Sequence, residues 1–185
     1  MKLNPKEILR PAISLFVICL AVTVLLAGTN LLTKDQIANQ SLLAEQSARA
    51  AVCPEGKTFE PGDEEGSYYV AKDGDSVVGY IFTTEASGYG GKLKVMTGIS
   101  SEGTVTGISF LSIDETPGLG MNAQKDSFKD QYKQTVPENG FTLIKSGEAS
   151  EGEINAMTGA TITSNAVTKA VNAAITQYNE IKEGA

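Results

Sequence analysis

The first feature of the chain is a long run of residues without charge. It extends from residue 11 to residue 33, and its centre, residues 12–27, is almost wholly apolar. About 20 helical residues cross the ~30 Å hydrocarbon core of a bilayer, so this run is long enough to span a membrane. A cleaved signal peptide has a similar character, but no small-x-small cleavage site stands out near residues 27–29. We therefore expect one N-terminal transmembrane helix that is retained.

The segment after the apolar run is typical of a helical stalk. Residues 33–52 are rich in helix formers and contain neither Gly nor Pro, whereas Pro54, Pro61 and the cluster at residues 62–66 predict a linker. We expect three parts: residues 1–33 as N-terminus and anchor, residues 34–66 as stalk and linker, and residues 67–185 as a separate domain.

Strand patterns dominate the beginning of this domain. Two pairs of β-rich segments, each pair separated by a short turn, predict two hairpins, and a short strand is expected further on. The predicted strands are residues 67–71 and 76–83, residues 93–99 and 104–111, and residues 141–144.

Two segments predict helices. Residues 121–133 place Met121, Phe128 and Tyr132 on one helical face before Pro137 ends the pattern. Residues 165–181 carry apolar residues at i, i+3 and i+4 spacing, which indicates an amphipathic helix. The domain is therefore expected to be α+β, a mostly antiparallel sheet with packed helices, preceded by one transmembrane helix.

Charge indicates how the chain crosses the membrane. Lys2, Lys6 and Arg10 outnumber Glu7 before the apolar run, and basic flanks stay in the cytoplasm. The 12 basic and 21 acidic residues that follow give the remainder a net charge of −9. Since an acidic surface repels polyanions, no nucleic-acid partner is expected. We expect a single-pass protein of the cell membrane, anchored in lipid, whose C-terminal domain is extracytosolic.

Composition excludes several kinds of chemistry. The chain has no histidine, and its two cysteines are Cys19 and Cys53. Catalysis by Ser-His-Asp or Cys-His needs an imidazole, haem and zinc sites need histidine or paired thiolates, and iron–sulfur clusters need about four thiolates. We therefore expect no metal site and no catalytic residue of these kinds. A redox function would require an organic cofactor.

Three irregular segments interrupt the regular patterns, and loops on rigid scaffolds often hold binding sites. Residues 158–164 carry four hydroxyl side chains directly before the last predicted helix. This pattern fits two interpretations: Thr163 or Ser164 caps that helix, or the segment binds an anion at the helix N-terminus. Residues 115–120 contain two glycines and a proline, and as a pattern they are only a turn. Residues 87–91 fit either a flexible connection or backbone that leaves room for a flat ligand beside Tyr89.

Taken together behind one membrane helix, these segments resemble a known family. The residues Gly88-Tyr-Gly-Gly-Lys-Leu-Lys-Val-Met96, Glu115-Thr-Pro-Gly-Leu-Gly120 and Thr158-Gly-Ala-Thr161 are similar to motifs of the FMN-binding family. That family includes the G subunit of Rnf electron-transport complexes and the C subunit of sodium-pumping NADH:quinone oxidoreductases. The resemblance covers essentially the whole chain, and its length is closer to that of the Rnf subunit.

The resemblance implies a covalent cofactor. In this family FMN is joined through its phosphate to the threonine that ends Ser/Thr-Gly-Ala-Thr, here Thr161, by a flavin transferase. An acidic residue usually lies three positions before this motif, where the chain has Asn155, with Glu153 nearby. Residues 67–185 would be the FMN-binding domain. The other residues expected around the cofactor are Thr158, Gly159, Ala160, Thr163, Ser164, Glu115, Thr116, Gly118, Leu119, Gly120 and Tyr89.

The resemblance also implies a function. The chain would be an electron-transfer subunit of a membrane complex that couples ferredoxin:NAD⁺ electron transfer to ion translocation, with the other membrane subunits as partners. Two alternatives remain open from the residues: a stand-alone anchored flavoprotein electron carrier, and a tethered structural or ligand-binding domain without covalent cofactor.

Overall fold

A computed structural model describes residues 5–63 and 66–184. Lys2 of the predicted basic flank lies outside these residues, as do Glu64 and Glu65 of the predicted linker and the side chains of Lys6 and Glu7. The chain divides into two units, Met1–Leu43 and Ala44–Ala185.

The described part of the first unit consists of one helix, α1, which extends over Pro5–Val52 and so ends within the second unit. Large apolar side chains cover this helix between Leu9 and Leu43 and are exposed, as in a helix surrounded by lipid. The Thr29 hydroxyl donates to the Leu25 carbonyl oxygen at 2.9 Å, which satisfies it without water. The predicted long apolar helix and its helical continuation to Val52 are both present.

The second unit is built on a five-stranded antiparallel sheet in which the strand order follows the chain order. Both predicted hairpins are present, and their turns contain Gly74 and Gly103, each with positive φ. The α+β fold class is therefore confirmed. The strands are β1 (Thr58–Pro61), β2 (Tyr68–Asp73), β3 (Ser76–Ser87), β4 (Lys92–Ser100) and β5 (Val105–Ser112).

Two short strands were not predicted. Strand β1 lies in the segment interpreted as a linker, and it pairs with β2 at the edge of the sheet, where Pro61 is tolerated. The second is Glu153–Asn155, β7, which pairs in parallel with the predicted strand β6 (Thr142–Ile144). Each has four residues or fewer, too few for an alternating pattern to stand out from its polar surroundings.

Amide side chains hold both edges of this small parallel sheet. The Asn172 side chain accepts from the Phe141 N–H and donates to the Phe141 carbonyl oxygen, at 2.8 and 2.9 Å. On the other edge, Gln131 Oε1 accepts from the Asn155 N–H at 2.7 Å. The backbone that leads from β7 into residues 158–161 is therefore held by specific hydrogen bonds.

The helix predicted over residues 121–133 is broken. It forms a 3₁₀ turn (Gly120–Gln124), the short helix α2 (Asp126–Lys129) and a second 3₁₀ turn (Asp130–Tyr132), because Lys125 is extended. In a straight helix, Ala123 and Phe128 would point about 140° apart, at roughly 100° per residue. The break lets both side chains, together with Tyr132, reach the core, where all three are buried.

The last helix, α3 (Thr161–Glu183), packs on one face of the sheet. It begins four residues before the predicted start at residue 165. Val167 and Val171 are fully buried against sheet residues such as Val95, and the buried Thr84 hydroxyl donates to the Ala170 carbonyl oxygen at 2.8 Å. This packing sets the position of the helix and therefore of its first turn.

The opposite face of the sheet is covered by the C-terminal end of α1. Ala48, Val52 and Cys53 are buried with Ile81 and Met96 in a second, smaller core. Burial raises the pKa of the Cys53 thiol, so that it stays protonated at neutral pH. The sheet is thus enclosed between α3 and the last turn of α1.

This last turn approaches the sheet at a pair of glycines. Gly98 on β4 and Gly107 on β5 are partners in the strand register. The Val52 carbonyl oxygen accepts a hydrogen bond from the Thr106 hydroxyl. A Cβ on Gly98 would overlap this carbonyl group, lying 2.8 Å from its carbon atom, whereas a Cβ on Gly107 would lie 3.5 Å from Val52 Cα.

These contacts predict that Gly98→Ala lowers the free energy of unfolding by roughly 1–3 kcal/mol, because the added methyl group would displace the end of α1. Gly107→Ala is the matched control, since its methyl group would make an ordinary contact. Thermal unfolding of the detergent-solubilised full chain, followed by circular dichroism, measures both. Equal melting temperatures for the two variants would contradict the prediction.

Candidate functional site

Three segments that are distant in the sequence meet around one cavity of about 530 Å³. They are the connection between β3 and β4, the loop after β5, and the first turn of α3. This volume lies within the range of small-molecule and cofactor sites. The lining residues are Tyr89, Glu115, Thr116, Leu119, Gly120, Gly159, Ala160, Thr161, Ile162 and Thr163.

The loop after β5 is a tight turn with defined chemistry. The Leu119 N–H donates to the Thr116 carbonyl oxygen at 3.1 Å, which places Pro117 and Gly118 at the two central positions. Gly118 has φ +78°, as the third residue of a type II turn requires. The Asn122 side chain also donates to the Gly118 carbonyl oxygen, at 2.7 Å. The loop is therefore rigid, and it directs Leu119 toward the cavity.

A second turn of the same kind precedes α3. The Ala160 N–H donates to the Met157 carbonyl oxygen at 3.0 Å, and Gly159 in the third position has φ +75°. The two turns are adjacent, because a Cβ on Gly159 would lie 3.1 Å from Leu119 Cδ2. Thr161, the first helical residue, follows directly.

The first turn of α3 leaves donor groups available. Its first helical backbone hydrogen bond runs from the Ser164 N–H to the Ala160 carbonyl oxygen at 2.9 Å, and Ala160 provides no side-chain cap. The N–H groups of Thr161, Ile162 and Thr163 precede that bond and have no carbonyl partner within the helix. Capping by Thr163 or Ser164 was therefore a wrong interpretation. The helix end presents N–H groups and partial positive charge, which suit an anion.

The four hydroxyl side chains of residues 158–164 differ in their surroundings. Ser164 is fully buried; its Oγ donates to the Ala160 carbonyl oxygen and accepts from the Met157 N–H, so it holds the turn together. Thr163 is also buried, although it borders the cavity. Thr158 is exposed but lines a neighbouring groove. Thr161 is both exposed and part of the cavity lining.

Glu115 holds the segments around the cavity together. Its side chain is only 6% exposed, and its Oε1 accepts a hydrogen bond from the Tyr89 N–H at 2.7 Å. A Cβ on Gly88 would overlap the same oxygen, and a Cβ on Gly120 would lie 2.6 Å from Oε2 and 2.7 Å from Thr163 Oγ1. The glycines of two loops thus leave the space that this carboxylate fills.

The rim of the cavity is apolar. Tyr89, Leu119 and Ile162 are 71%, 44% and 57% exposed, and all three line the cavity. Within the described part of the chain, no lysine or arginine contributes to the lining. Exposed apolar side chains at one cavity are typical of a binding site. The arrangement suits a ligand that has a flat apolar portion and an anionic group near the start of α3.

Most of the residues expected at the site lie together. Of the expected set, Gly118, Thr158 and Ser164 are not among the residues lining the cavity. Gly118 serves the turn through its positive φ, and a Cβ added there would meet no other atom within 4 Å. At Gly120, by contrast, the side chains of Glu115 and Thr163 lie so close that a Cβ would not fit. Ile162 lines the cavity but was not among the predicted site residues. The sequence signal that could have identified it is an apolar residue between two threonines. No group of His, Cys, Asp and Glu suited to a metal occurs among the residues searched, which are those described.

Two protein families match the chain. The FMN-binding domain matches residues 88–176, and the RnfG N-terminal region matches residues 1–52. The chain is 31% identical to the G subunit of the proton-translocating ferredoxin:NAD(+) oxidoreductase complex of Clostridium ljungdahlii, over 92% of this chain and 91% of that protein. It is 33% identical to the G subunit of the Na(+)-translocating ferredoxin:NAD(+) oxidoreductase complex of Acetobacterium woodii, over 99% and 97%.

Among solved structures, the C subunit of the Na(+)-translocating NADH-quinone reductase from Parabacteroides distasonis is similar to 56% of this chain. The match covers 55% of that chain, with 26% identity and a TM-score of 0.48.

The packing around Glu115 predicts the effect of a methyl group at Gly120. Gly120→Ala is expected to displace the carboxylate and weaken its bond to the Tyr89 N–H, lowering the stability of the unit by roughly 1–3 kcal/mol. Hydrogen exchange of the peptide containing Tyr89, measured by mass spectrometry, should become faster. Gly91→Ala, where a Cβ meets nothing within 4 Å, should leave this exchange unchanged. Equal protection of Tyr89 in both variants would disprove the coupling.

Proposed function

Since the chain belongs to the family of G subunits of ion-translocating ferredoxin:NAD(+) oxidoreductase (Rnf) complexes, we propose that it carries FMN as a phosphoester on Thr161. The chain is an electron-transfer subunit of such a complex, and it has an FMN-binding domain. It is anchored in the membrane by the one long apolar helix found among the described residues. Its covalent attachment site, the side of the membrane on which the domain lies and its maturation partner are part of the proposal.

The accessibility of the Thr161 hydroxyl carries the assignment. Thr161 is the one residue of the four with a hydroxyl that is exposed and also lines the described cavity. Thr163 and Ser164 are buried, and the hydroxyl of Ser164 already has two hydrogen-bond partners. A phosphate ester at Thr161 would lie beside the unpaired N–H groups of the first turn of α3.

The composition of the cavity favours a covalent link. A flavin phosphate held without a covalent bond is usually balanced by Arg or Lys. The described lining residues include neither, so N–H groups, threonine hydroxyls and the helix dipole would be the groups that hold the ester. A diester also has one negative charge fewer than a free monoester can have, which reduces the need for a cation.

The apolar rim suits the isoalloxazine part of FMN. Leu119 and Ile162 would pack against the ring, and Tyr89 would cover its edge, since all three are exposed at the cavity. When bound, the flavin supplies the ability to accept and pass on electrons. The protein's part is to hold the ring on two rigid turns, to exclude water from one side of it and to set its electrostatic surroundings.

Maturation would require a flavin transferase as a partner. The ester forms when Thr161 Oγ replaces the leaving group on the phosphorus of an activated flavin nucleotide, and its proton passes to the transferase. Asn155 occupies the position of the usual acidic residue, and Glu153 lies two residues earlier on β7. Alternate residues of a strand share a face, and both side chains line the same groove. Glu153 can therefore present a carboxylate on the surface where Asn155 lies.

The remaining partners would be membrane lipid and the other subunits of the complex. Helix α1 is long and apolar enough to cross a bilayer, and the other described residues do not bury its apolar stretch. The basic residues before the uncharged run, including Arg10, would stay in the cytoplasm, so that residues 34–185 would lie outside.

Thr161→Ala is expected to abolish covalent FMN, while the fold persists because an exposed hydroxyl contributes little to packing. Thr163→Ala should retain the flavin, at lower yield if the buried Thr163 supports the first turn of α3. In-gel flavin fluorescence after denaturing electrophoresis and peptide mass spectrometry measure both variants in cells that contain the transferase. An FMN mass on Thr158 or Thr163 would refute the site.

The orientation is tested with reporters fused after Ala185. A reporter active only outside the cytoplasm should be active, and one that works only in the cytoplasm should be silent, because the basic flank holds the N-terminus inside. Activity of the cytoplasmic reporter alone would reverse the proposed topology.

A further inference from the structure

We propose that the carboxylate of Glu115 is the charged group that lowers the reduction potential of the flavin in this site. The inference rests on the proposed function, because it requires the flavin to occupy the cavity that begins at Thr161. It assigns Glu115 a role in tuning the cofactor, in addition to its role in joining the two loops.

Glu115 is a buried carboxylate that no cation among the described residues balances. Its side chain is 6% exposed, and none of the ion pairs found among the described residues involves it. Among the described residues, the Tyr89 N–H donates a hydrogen bond to Glu115 Oε1. Buried carboxylates are usually paired, so an unpaired one at a binding cavity calls for a functional explanation.

The second oxygen of the carboxylate lies beside Gly120, close to the start of α3. Oε2 lies 2.6 Å from the position of a Cβ on Gly120, and Thr163 Oγ1 lies 2.7 Å from the same position. Gly120, Thr163 and Glu115 all line the cavity. Its negative charge is thus located at the wall of the space in which the flavin would lie.

The sign of the effect follows from charge. Reduction adds electrons to the ring, and a nearby negative charge disfavours this addition when little solvent lies between the two. The described lining has no lysine or arginine that would compensate the carboxylate. Asp114, the acidic residue directly before Glu115, is exposed, so water and salt screen its charge. Glu115 should therefore affect the flavin far more than Asp114 does.

The charge of Glu115 can be separated from its structural role. In Glu115→Gln the side-chain shape is kept, and the amide oxygen can still accept the Tyr89 N–H, so the two loops stay joined. Glu115→Asp keeps the charge and shortens the side chain. Asp114→Asn is the matched control for removing an acidic charge from the same loop.

The experiment is a spectroelectrochemical titration of the full-length, flavin-loaded protein in detergent, followed by flavin absorbance. Glu115→Gln is expected to shift the reduction equilibrium toward the reduced form at least tenfold per electron, which corresponds to about 59 mV. Asp114→Asn and Glu115→Asp should each remain within threefold of the unmodified protein. The melting temperatures of all four proteins are measured in parallel.

Equal midpoint potentials for Glu115→Gln and Asp114→Asn would overturn the proposal, as would a tenfold shift in Glu115→Asp. If Glu115→Gln does not retain the flavin, Glu115→Asp decides: a potential near that of the unmodified protein supports the role of charge, and a tenfold shift rejects it. The proposed function fails separately, if the denatured unmodified protein shows no flavin fluorescence. A fluorescent protein with unchanged potentials rejects only the role of Glu115.

Discussion

The burial of α3 against the sheet determines where the candidate site forms. Val167 and Val171 are fully buried, and the Thr84 hydroxyl donates to the Ala170 carbonyl oxygen inside this contact. A helix held along its length has a first turn of fixed position, and here that turn starts at Thr161. Because the helix has no side-chain cap, its first N–H groups remain available at the cavity. Packing in the core therefore places the donors that an anionic group needs.

The loops that complete the cavity rely on glycine for two different reasons. Gly118 and Gly159 have positive φ in two adjacent turns, a conformation that other residues rarely adopt. Gly88 and Gly120 instead leave space for the Glu115 side chain, which joins the β3–β4 connection to the loop after β5. The rigidity of the site thus comes from turn geometry and one buried carboxylate. Such rigidity is suited to a cofactor that must be held at a set place.

The chain joins an apolar membrane-spanning helix to an FMN-binding domain, as expected of an electron-transfer subunit of a membrane complex. Its FMN-binding domain contains a cavity with an apolar rim and a threonine at the start of a helix. In an ion-translocating complex, the membrane anchor together with the proposed phosphoester on Thr161 would keep the flavin near its redox partners.

The amino-acid sequence by itself determined the membrane helix, both hairpins and α3, because each has a local hydrophobic pattern long enough to be specific. Its motifs also pointed to Thr161 and to the loop at residues 115–120. Only the tertiary structure decided that Thr161 is accessible while Thr163 and Ser164 are buried, since the start of α3 depends on packing against the sheet. The burial of Glu115 likewise depends on the distant Gly88 and Tyr89, a contact between segments that no local pattern encodes.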